Sequence, residues 1–310
     1  MKRFFNKLKS KYLSYKIKEA KNSNSVYRTD TNVSFIIQTF NAKARVNLIY
    51  ERLVQYQNCE IIFIDDGSVD GTLNELAGLL KRKNDFILRS NDIYEVRTYS
   101  KAIRMSNSPI ICLLQDDDLP PEANDWIPRA LQLFERWDNL MILGGRDGIN
   151  LMEPEKEEEG KNKFKFKNNI ASFPGEFRYR LLSQPTAFDP KVDQKFMFCM
   201  ACNRAPTFIR KAPFLTMGGI DQNFAPYQCD DVDYCIRAWK NGYKVGLYES
   251  NFNVGEYTGG MRKYQGKEKH DQIIKNWNRI YTQHRNFIKK GKVMNKIDRL
   301  NSELDANLFE

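Results

Sequence analysis

No stretch of this 310-residue chain approaches the roughly 18 consecutive apolar residues that a membrane-crossing helix needs, and no signal-peptide core opens it. The expectation is a chain that neither spans a bilayer nor enters secretion by the usual route, and that works in the cytoplasm. Cysteine is sparse and scattered, at positions 59, 112, 199, 202, 229 and 235. The one close pair, Cys199 and Cys202, lacks a second metal-ligand pair at suitable spacing, which argues against zinc and against a disulfide framework. Buried thiols in a reducing compartment fit better. Also missing are the Gly-x-Gly-x-x-Gly fingerprint, a Walker lysine motif and any internal repeat. An ordinary dinucleotide site and a P-loop are thereby excluded.

The net charge is +10, but the excess is confined to the ends. Residues 1–22 carry eight Lys/Arg against one Glu, and residues 262–300 carry twelve against three acids. The stretch 23–261 is slightly acidic, with 29 basic and 32 acidic side chains, so its body is no nucleic-acid surface. In the first arm Phe4, Phe5, Leu8, Tyr12 and Tyr15 recur at three- and four-residue steps, with most lysines elsewhere around the helix. Such a helix suits the face of an anionic membrane, docking on its own domain, or a partly disordered tail.

The informative residues follow apolar runs. Ile110-Ile111-Cys112-Leu113-Leu114 reads as a buried strand and is followed, after Gln115, by Asp116-Asp117-Asp118. Strand ends are where ligands bind in open α/β sheets. Two carboxylates about 4 Å apart repel by roughly 4 kcal/mol at an effective dielectric near 20. Either one stays protonated or a divalent cation neutralises them, and oxygen ligands favour Mg²⁺ or Mn²⁺. Taken alone, a solvated acidic turn explains the triplet equally well. A second run, Glu60 to Ile64, opens into Asp65-Asp66-Gly67-Ser68-Val69-Asp70-Gly71-Thr72. Gly67 suits a sharp exit, Ser68 or Asp70 can cap the next helix, and Leu73, Leu76, Leu79 and Leu80 supply its apolar side. The first strand, Val33 to Ile37, ends in Gln38-Thr39-Phe40-Asn41. Three polar strand ends separated by helical segments describe a nucleotide-binding half-sheet.

These segments resemble the successive signatures of GT-A-fold glycosyltransferases of family two. Farther on, Met217-Gly218-Gly219-Ile220-Asp221 and Asp230-Asp231-Val232-Asp233-Tyr234-Cys235-Ile236-Arg237 resemble the acceptor-side motif of that family, a Gly-Gly-x-Asp turn before an acidic pair and a helix. The resemblance covers roughly residues 31–250. It implies an α/β fold with a Rossmann-like mixed sheet flanked by helices, here with helical basic termini. It also implies inverting transfer of a sugar from a nucleotide-diphosphate donor, UDP being the preferred nucleotide, to a glycan or lipid-linked acceptor. A lipid-linked acceptor would favour peripheral contact of the N-terminal helix with the inner membrane face. The expected organisation is a helix and linker over 1–30, a catalytic domain over 31–255 with donor half 31–118 and acceptor half 119–255, and a basic helical extension over 256–310.

By the same resemblance Asp231 is the general base and Asp230 replaces a Glu on the acceptor side, with Gly219 in the acceptor turn. Acids decorating a helix N-terminus would look similar. Asp66 would accept from the uracil imide, with Gln38 and Thr39 at the floor of the base pocket. Asp65 is a ribose contact or a strand cap. Asp117 and Asp118 would hold the metal with Asp116 as third candidate, because Gln115 stands where the family pattern begins with Asp. Arg204 is a donor-phosphate contact or an ion-pair partner, and Arg237 an anchor of the acidic loop or a solvated side chain. A further metal-ligating His is expected near 253–257, yet only His270 and His284 exist; Glu256 is a substitute. Two rival readings remain. A sugar-phosphate nucleotidylyltransferase should carry a Gly-rich, Lys/Arg-containing loop after strand one, which Thr39-Phe40-Asn41 is not. A non-catalytic membrane-associated module has no need of the aspartate triplet or Asp231.

Overall fold

Val33–Thr39 (β1) and Cys59–Asp65 (β2) are buried at every position, as strands covered on both faces must be. The computed structural model describes residues 30–306 apart from 124, 153–164, 168–169, 173–177, 184, 186, 205, 255–265 and 290. The expected N-terminal helix, most of the Glu/Lys-rich insertion and Glu256 lie outside the described residues. Between and after the first strands come α1 (Lys43–Val54), α2 (Thr72–Leu79), β3 (Phe86–Arg89), α3 (Glu95–Met105) and β4 (Ile110–Gln115). Polar residues inside the central strands are satisfied across elements. The Ser34 hydroxyl donates to Glu60 at 2.6 Å, and Glu60 also accepts from the backbone and side-chain amides of Asn107. The helices cover the sheet through 3.6-residue stripes, such as Val46, Ile49, Tyr50 and Leu53 on α1.

The chain continues through β5 (Asp118–Leu119), α4 (Trp126–Arg136), β6 (Leu140–Gly144), β7 (Gly148–Met152), β8 (Lys165–Lys167), β9 (Ile170–Ser172) and β10 (Arg178–Leu182). Then follow β11 (Phe188–Asp189), β12 (Gln194–Phe198), β13 (Ala201–Cys202), β14 (Thr207–Arg210), α5 (Lys211–Thr216), α6 (Asp230–Lys240), β15 (Lys244–Tyr248) and β16 (Asn253–Val254). Two helices end the described chain, α7 (Lys267–Lys289) and α8 (Lys292–Ala306). The large sheet has the order β11-β12-β15-β6-β14-β4-β1-β2-β3. Its β4-β1-β2-β3 part is parallel, and β14 enters antiparallel between β4 and β6. This is the expected mixed α/β sheet flanked by helices. The division at 118/119 runs through one continuous sheet, so the two halves share a core rather than folding separately. A smaller sheet orders β13-β7-β10-β9-β8, with the segment around Phe166 as an edge strand, and β16 pairs with β5 beside Asp118.

The basic C-terminal helices belong to the same core. Trp277, Ile280, Ile288, Val293, Ile297, Leu300 and Leu304 are buried in the cluster that begins at Val33. Asn301 on α8 pairs with strand β12 as another strand would, accepting from Phe198 N–H at 2.7 Å and donating to Phe198 C=O at 3.0 Å. Among the described residues no helix is long and apolar enough to cross a membrane. Ending the chain at residue 265 should therefore abolish a cooperative melt in circular dichroism. Asn301→Ala, which leaves the apolar contacts but unpairs Phe198, should cost about 1–3 kcal/mol in urea unfolding.

Candidate functional site

Three acidic pairs stand at strand ends or at a helix start, and in each pair the two carboxylates have different surroundings. In the first, Asp66 is fully buried, and its oxygens accept from Ser90 Oγ at 2.6 Å, Ile93 N–H at 3.0 Å and Tyr94 N–H at 2.8 Å. It caps the entry to α3 and ties it to β2. Asp65, also fully buried, accepts from Ser68 N–H at 3.2 Å through Oδ1, while its Oδ2 has no hydrogen-bond donor and lies 3.9 Å from Arg89 Nε. Expected as the base-pocket carboxylate, Asp66 is occupied by its own chain; Asp65 is the one with an open oxygen. Gly67, at φ +92°, makes the turn between them and Ser68. Asp70 does cap α2 through Thr72 N–H at 3.0 Å, whereas Ser68 accepts from Asn41 N–H at 2.9 Å instead. Gln38 accepts from the Thr98 hydroxyl at 2.6 Å and keeps a buried, unpartnered Nε2, and Thr39 donates to Ile64 C=O at 2.9 Å.

The second group is the triplet. Asp116 accepts from Phe40 N–H at 2.8 Å, fastening the end of β4 to that of β1. Asp118 is buried and ion-paired to Arg146, which also meets Asp147 at 3.0 Å. Burial pushes the Asp118 carboxyl up to about 7, Arg146 opposing this and Asp117 adding to it. Asp117 is likewise raised, mainly by burial, and its Oδ1 is enclosed with no partner. Arg45 on α1 grips the Asp117 carbonyl at 2.9 Å. Among the described residues no three His, Cys, Asp or Glu side chains converge as a metal cage. Two oxygen-only ligands, one of them an orphaned acceptor, still suit a hard cation that takes its other ligands from elsewhere.

The third group opens α6. Asp230 is fully buried and forms a two-pronged ion pair with buried Arg204. The Arg204 guanidinium also lies 3.6 Å from Glu95 and 5.3 Å from the Tyr99 ring centroid. Of the two roles open to Arg204, the ion pair is the one the structure shows, and it occupies the Asp230 carboxylate expected on the acceptor side. Asp231 remains half-buried, with one oxygen accepting from Val232 N–H at 2.9 Å. Burial raises its pKa from 3.8 to about 6, with Asp230 adding and Arg204 opposing. Gln228 and Cys229 lead into the helix at φ +77° and +66°, a costly conformation for residues with a Cβ.

Asp233 is more than a helix-dipole acid. It accepts from Arg237 Nε at 2.7 Å and from His284 Nε2 at 2.8 Å, both partners reaching a carboxylate that is 1% exposed. Lys240 donates to His284 Nδ1 at 2.6 Å, so the proton of a neutral imidazole sits on Nε2 and points at Asp233. Arg237 in turn donates to Met217 C=O at 3.0 Å and Gly219 C=O at 2.5 Å. Gly218 and Gly219, at φ +101° and +66°, supply that turn, and the Gly219 carbonyl anchors Arg237.

A cavity of 450 Å³ brings Gln115, Arg204 and Asp231 together with Glu95, Arg146 and Asn203. Gln38, Thr39, Asp65, Asp66 and the aspartate triplet stand outside its lining. Its other wall includes Tyr179, Trp277 and His270, none of which spacing singled out for a site. Arg146 and Glu95 carried no signal either, because each finds its partner at long sequence separation.

The mixed sheet with acidic strand ends has counterparts among solved structures. The chain matches S. aureus TarS residues 1–349 in complex with UDP-GlcNAc at 12% identity, over 81% of this chain and 73% of that one, with a TM-score of 0.50. A longer S. aureus TarS structure matches at 12% identity and TM-score 0.50, over 81% of this chain and 44% of that one. These likenesses show the fold. No curated protein sequence matches significantly. The sequence profile of glycosyl transferase family 2 matches residues 34–197, and the chain belongs to that family.

The two acids of α6 should respond oppositely to neutralisation. A raised carboxyl makes the folded state bind protons more readily, so Asp231 costs stability as pH rises from about 4 to 6. Asp231→Asn should raise Tm at pH 7.5, the gain vanishing near pH 4. Asp233→Asn removes the charge and one of the two acceptor oxygens that Arg237 and His284 use, and should lower Tm at neutral pH, a loss of about 3–5 kcal/mol for a broken buried pair.

Proposed function

We propose that this chain transfers a sugar from a UDP-sugar, with inversion, to a hydroxyl of a glycan or lipid-linked acceptor, using Asp231 as base. One observation carries the reading: a half-buried carboxylate with its pKa pushed up to about 6 lines a cavity beside two arginines. A base whose pKa lies close below neutral pH is ionised in use yet still basic enough to take a hydroxyl proton. A carboxylate oxygen of Asp231 accepts the acceptor O–H proton. The acceptor oxygen forms its bond to the anomeric carbon from the face opposite the leaving group. The bond from that carbon to the β-phosphate oxygen breaks, and its electron pair leaves with UDP. Family membership supports the sugar-transfer class, and the UDP-GlcNAc held by the similar TarS structure suggests the donor.

Residues at the sheet edge share the donor. Asp65 Oδ2, buried and lacking a donor, takes the uracil imide N–H in place of Asp66, and Gln38 Nε2 offers a second unspent group. Mg²⁺ or Mn²⁺ held by Asp117 and Asp118 would neutralise the diphosphate as it leaves. Arg204 holds Asp230 and so keeps a positive charge next to Asp231 without spending it on the phosphate.

Two measurements test this. Asp231→Asn should bind UDP normally by calorimetry and lose about 10²–10⁴-fold in transfer, and the natural chain should show an acid limb near pH 6 in kcat/KM. Retained transfer would remove Asp231 as base. Asp117→Asn should weaken UDP binding in Mn²⁺ while changing it little in EDTA, whereas Asp65→Asn should weaken it in both. Loss of equal size in both media for Asp117→Asn would mean that this carboxylate acts without an ion.

A further inference from the structure

The cavity lining combines two opposed chemistries. Glu95, Arg146 and Arg204 share it with Ile149, Tyr179 and Leu181 of the small sheet and with Ile273 and Trp277 of α7. The Tyr179 and Trp277 rings are stacked, with centroids 5.0 Å apart and planes 8° from parallel. Trp277 is 8% exposed, so its ring is fixed by packing rather than free to swing. Asp231 and Val232, at the start of α6, line the same cavity.

The platform and the base are also set by one helix. Asn276, the residue before Trp277, is fully buried, and its side-chain amide donates to the carbonyls of Phe224, Tyr227 and Gln228 at 2.9, 2.8 and 2.9 Å. Those carbonyls belong to the segment that delivers Cys229, Asp230 and Asp231. A shift of α7 would therefore move Trp277 and the segment before Asp231 together.

We propose that Tyr179, backed by the stacked ring of Trp277, forms with Ile149, Leu181 and Ile273 an acceptor subsite for the pyranose ring of a sugar. The proposal rests on the glycosyl-transfer reading above. A pyranose has one face of C–H bonds that packs on an aromatic face, whose electron density is negative, and a rim of hydroxyls that needs polar partners. Laid on this wall, it presents hydroxyls toward Asp231 and the charged side of the cavity. An acyl chain would leave Glu95 and Arg204 facing hydrocarbon, which is costly. An open-chain polyol phosphate would leave the apolar wall wet. A ring with two unlike faces matches two unlike walls.

The test uses the full chain, UDP-GlcNAc or UDP-hexoses as donor, and methyl hexopyranosides as acceptors, with glycerol phosphate and ribitol phosphate as open-chain comparators. At least one pyranoside should raise UDP release above the rate in water. Tyr179→Ala should then raise that acceptor's KM about tenfold or more with kcat changed less than threefold, and Tyr179→Phe should restore KM. A fall in kcat at unchanged KM, or stimulation by the open-chain phosphates alone, would overturn the subsite. So would donor hydrolysis in water that no pyranoside accelerates. A chain that turns over no UDP-sugar counts against the transfer reading instead. The subsite then stands or falls on tryptophan emission: it should shift on titration with a methyl pyranoside and stop shifting in Trp277→Phe. No shift in the natural chain refutes the platform.

Discussion

The buried ion pair between Arg204 and Asp230 is the constraint on which the site depends. Asp230 and Asp231 are neighbours in sequence at the start of one helix, and two buried carboxylates so close cannot both ionise without a cation. Arg204 supplies that cation from the connection between β13 and β14, held in place by Glu95 and the ring of Tyr99. With Asp230 neutralised, the charge of Asp231 is tolerable, and the remaining burial raises its pKa only to about 6. Without Arg204, the same burial plus an unopposed neighbour would push the Asp231 carboxyl further up. On the proposed reading, the ion pair therefore bears directly on whether Asp231 can act as the base.

The same division of labour recurs at each acidic strand end. Asp66 is spent on the entry to α3 and Asp65 keeps an open oxygen. Asp118 is matched by Arg146 and Asp117 keeps an orphaned one. Asp230 is matched by Arg204 and Asp231 lines the cavity. The repulsion that makes adjacent carboxylates expensive is reduced by giving one member of each pair a partner within the chain. Burial raises the carboxyls of Asp117, Asp118 and Asp231.

That division explains what sequence could and could not show. The strand ends were legible because Val33 to Ile37, Glu60 to Ile64 and Ile110 to Leu114 are apolar runs followed at once by polar residues, and the half-sheet followed from them, the mixed sheet coming only with the family resemblance. Which acid of each pair does which task was not legible. The deciding partners, Ser90 to Tyr94, Arg146, Arg204 and His284, lie 24 or more residues away and carry no spacing signal. Asp66 is thus capped by its own chain while Asp65 keeps one oxygen without a hydrogen-bond donor, and Asp233 is the centre of a buried network rather than one more acid at a helix start. The basic charge of the last helices misled in a similar way. Charge reports the solvent face of α7 and α8, while Asn276, Trp277 and Asn301 on the other face join them to the core.

The C-terminal helices complete the argument about how the base is held. Three bonds from Asn276 fix the carbonyls before α6, Arg204 fixes its first acid, and the Asp233, His284 and Arg237 contacts fix its second turn against α7 and the Gly218-Gly219 turn. Backbone at Gln228 and Cys229 sits in a conformation that a free chain would leave. Restraint from both sides is what keeps it there. Because the restraint before α6 comes from α7, and α7 also carries Trp277, the distance from base to aromatic wall is set within one packed unit. An acceptor ring on that wall would meet Asp231 within one packed unit, so part of the orientation of the attacking hydroxyl would be set by the folding of the last helices.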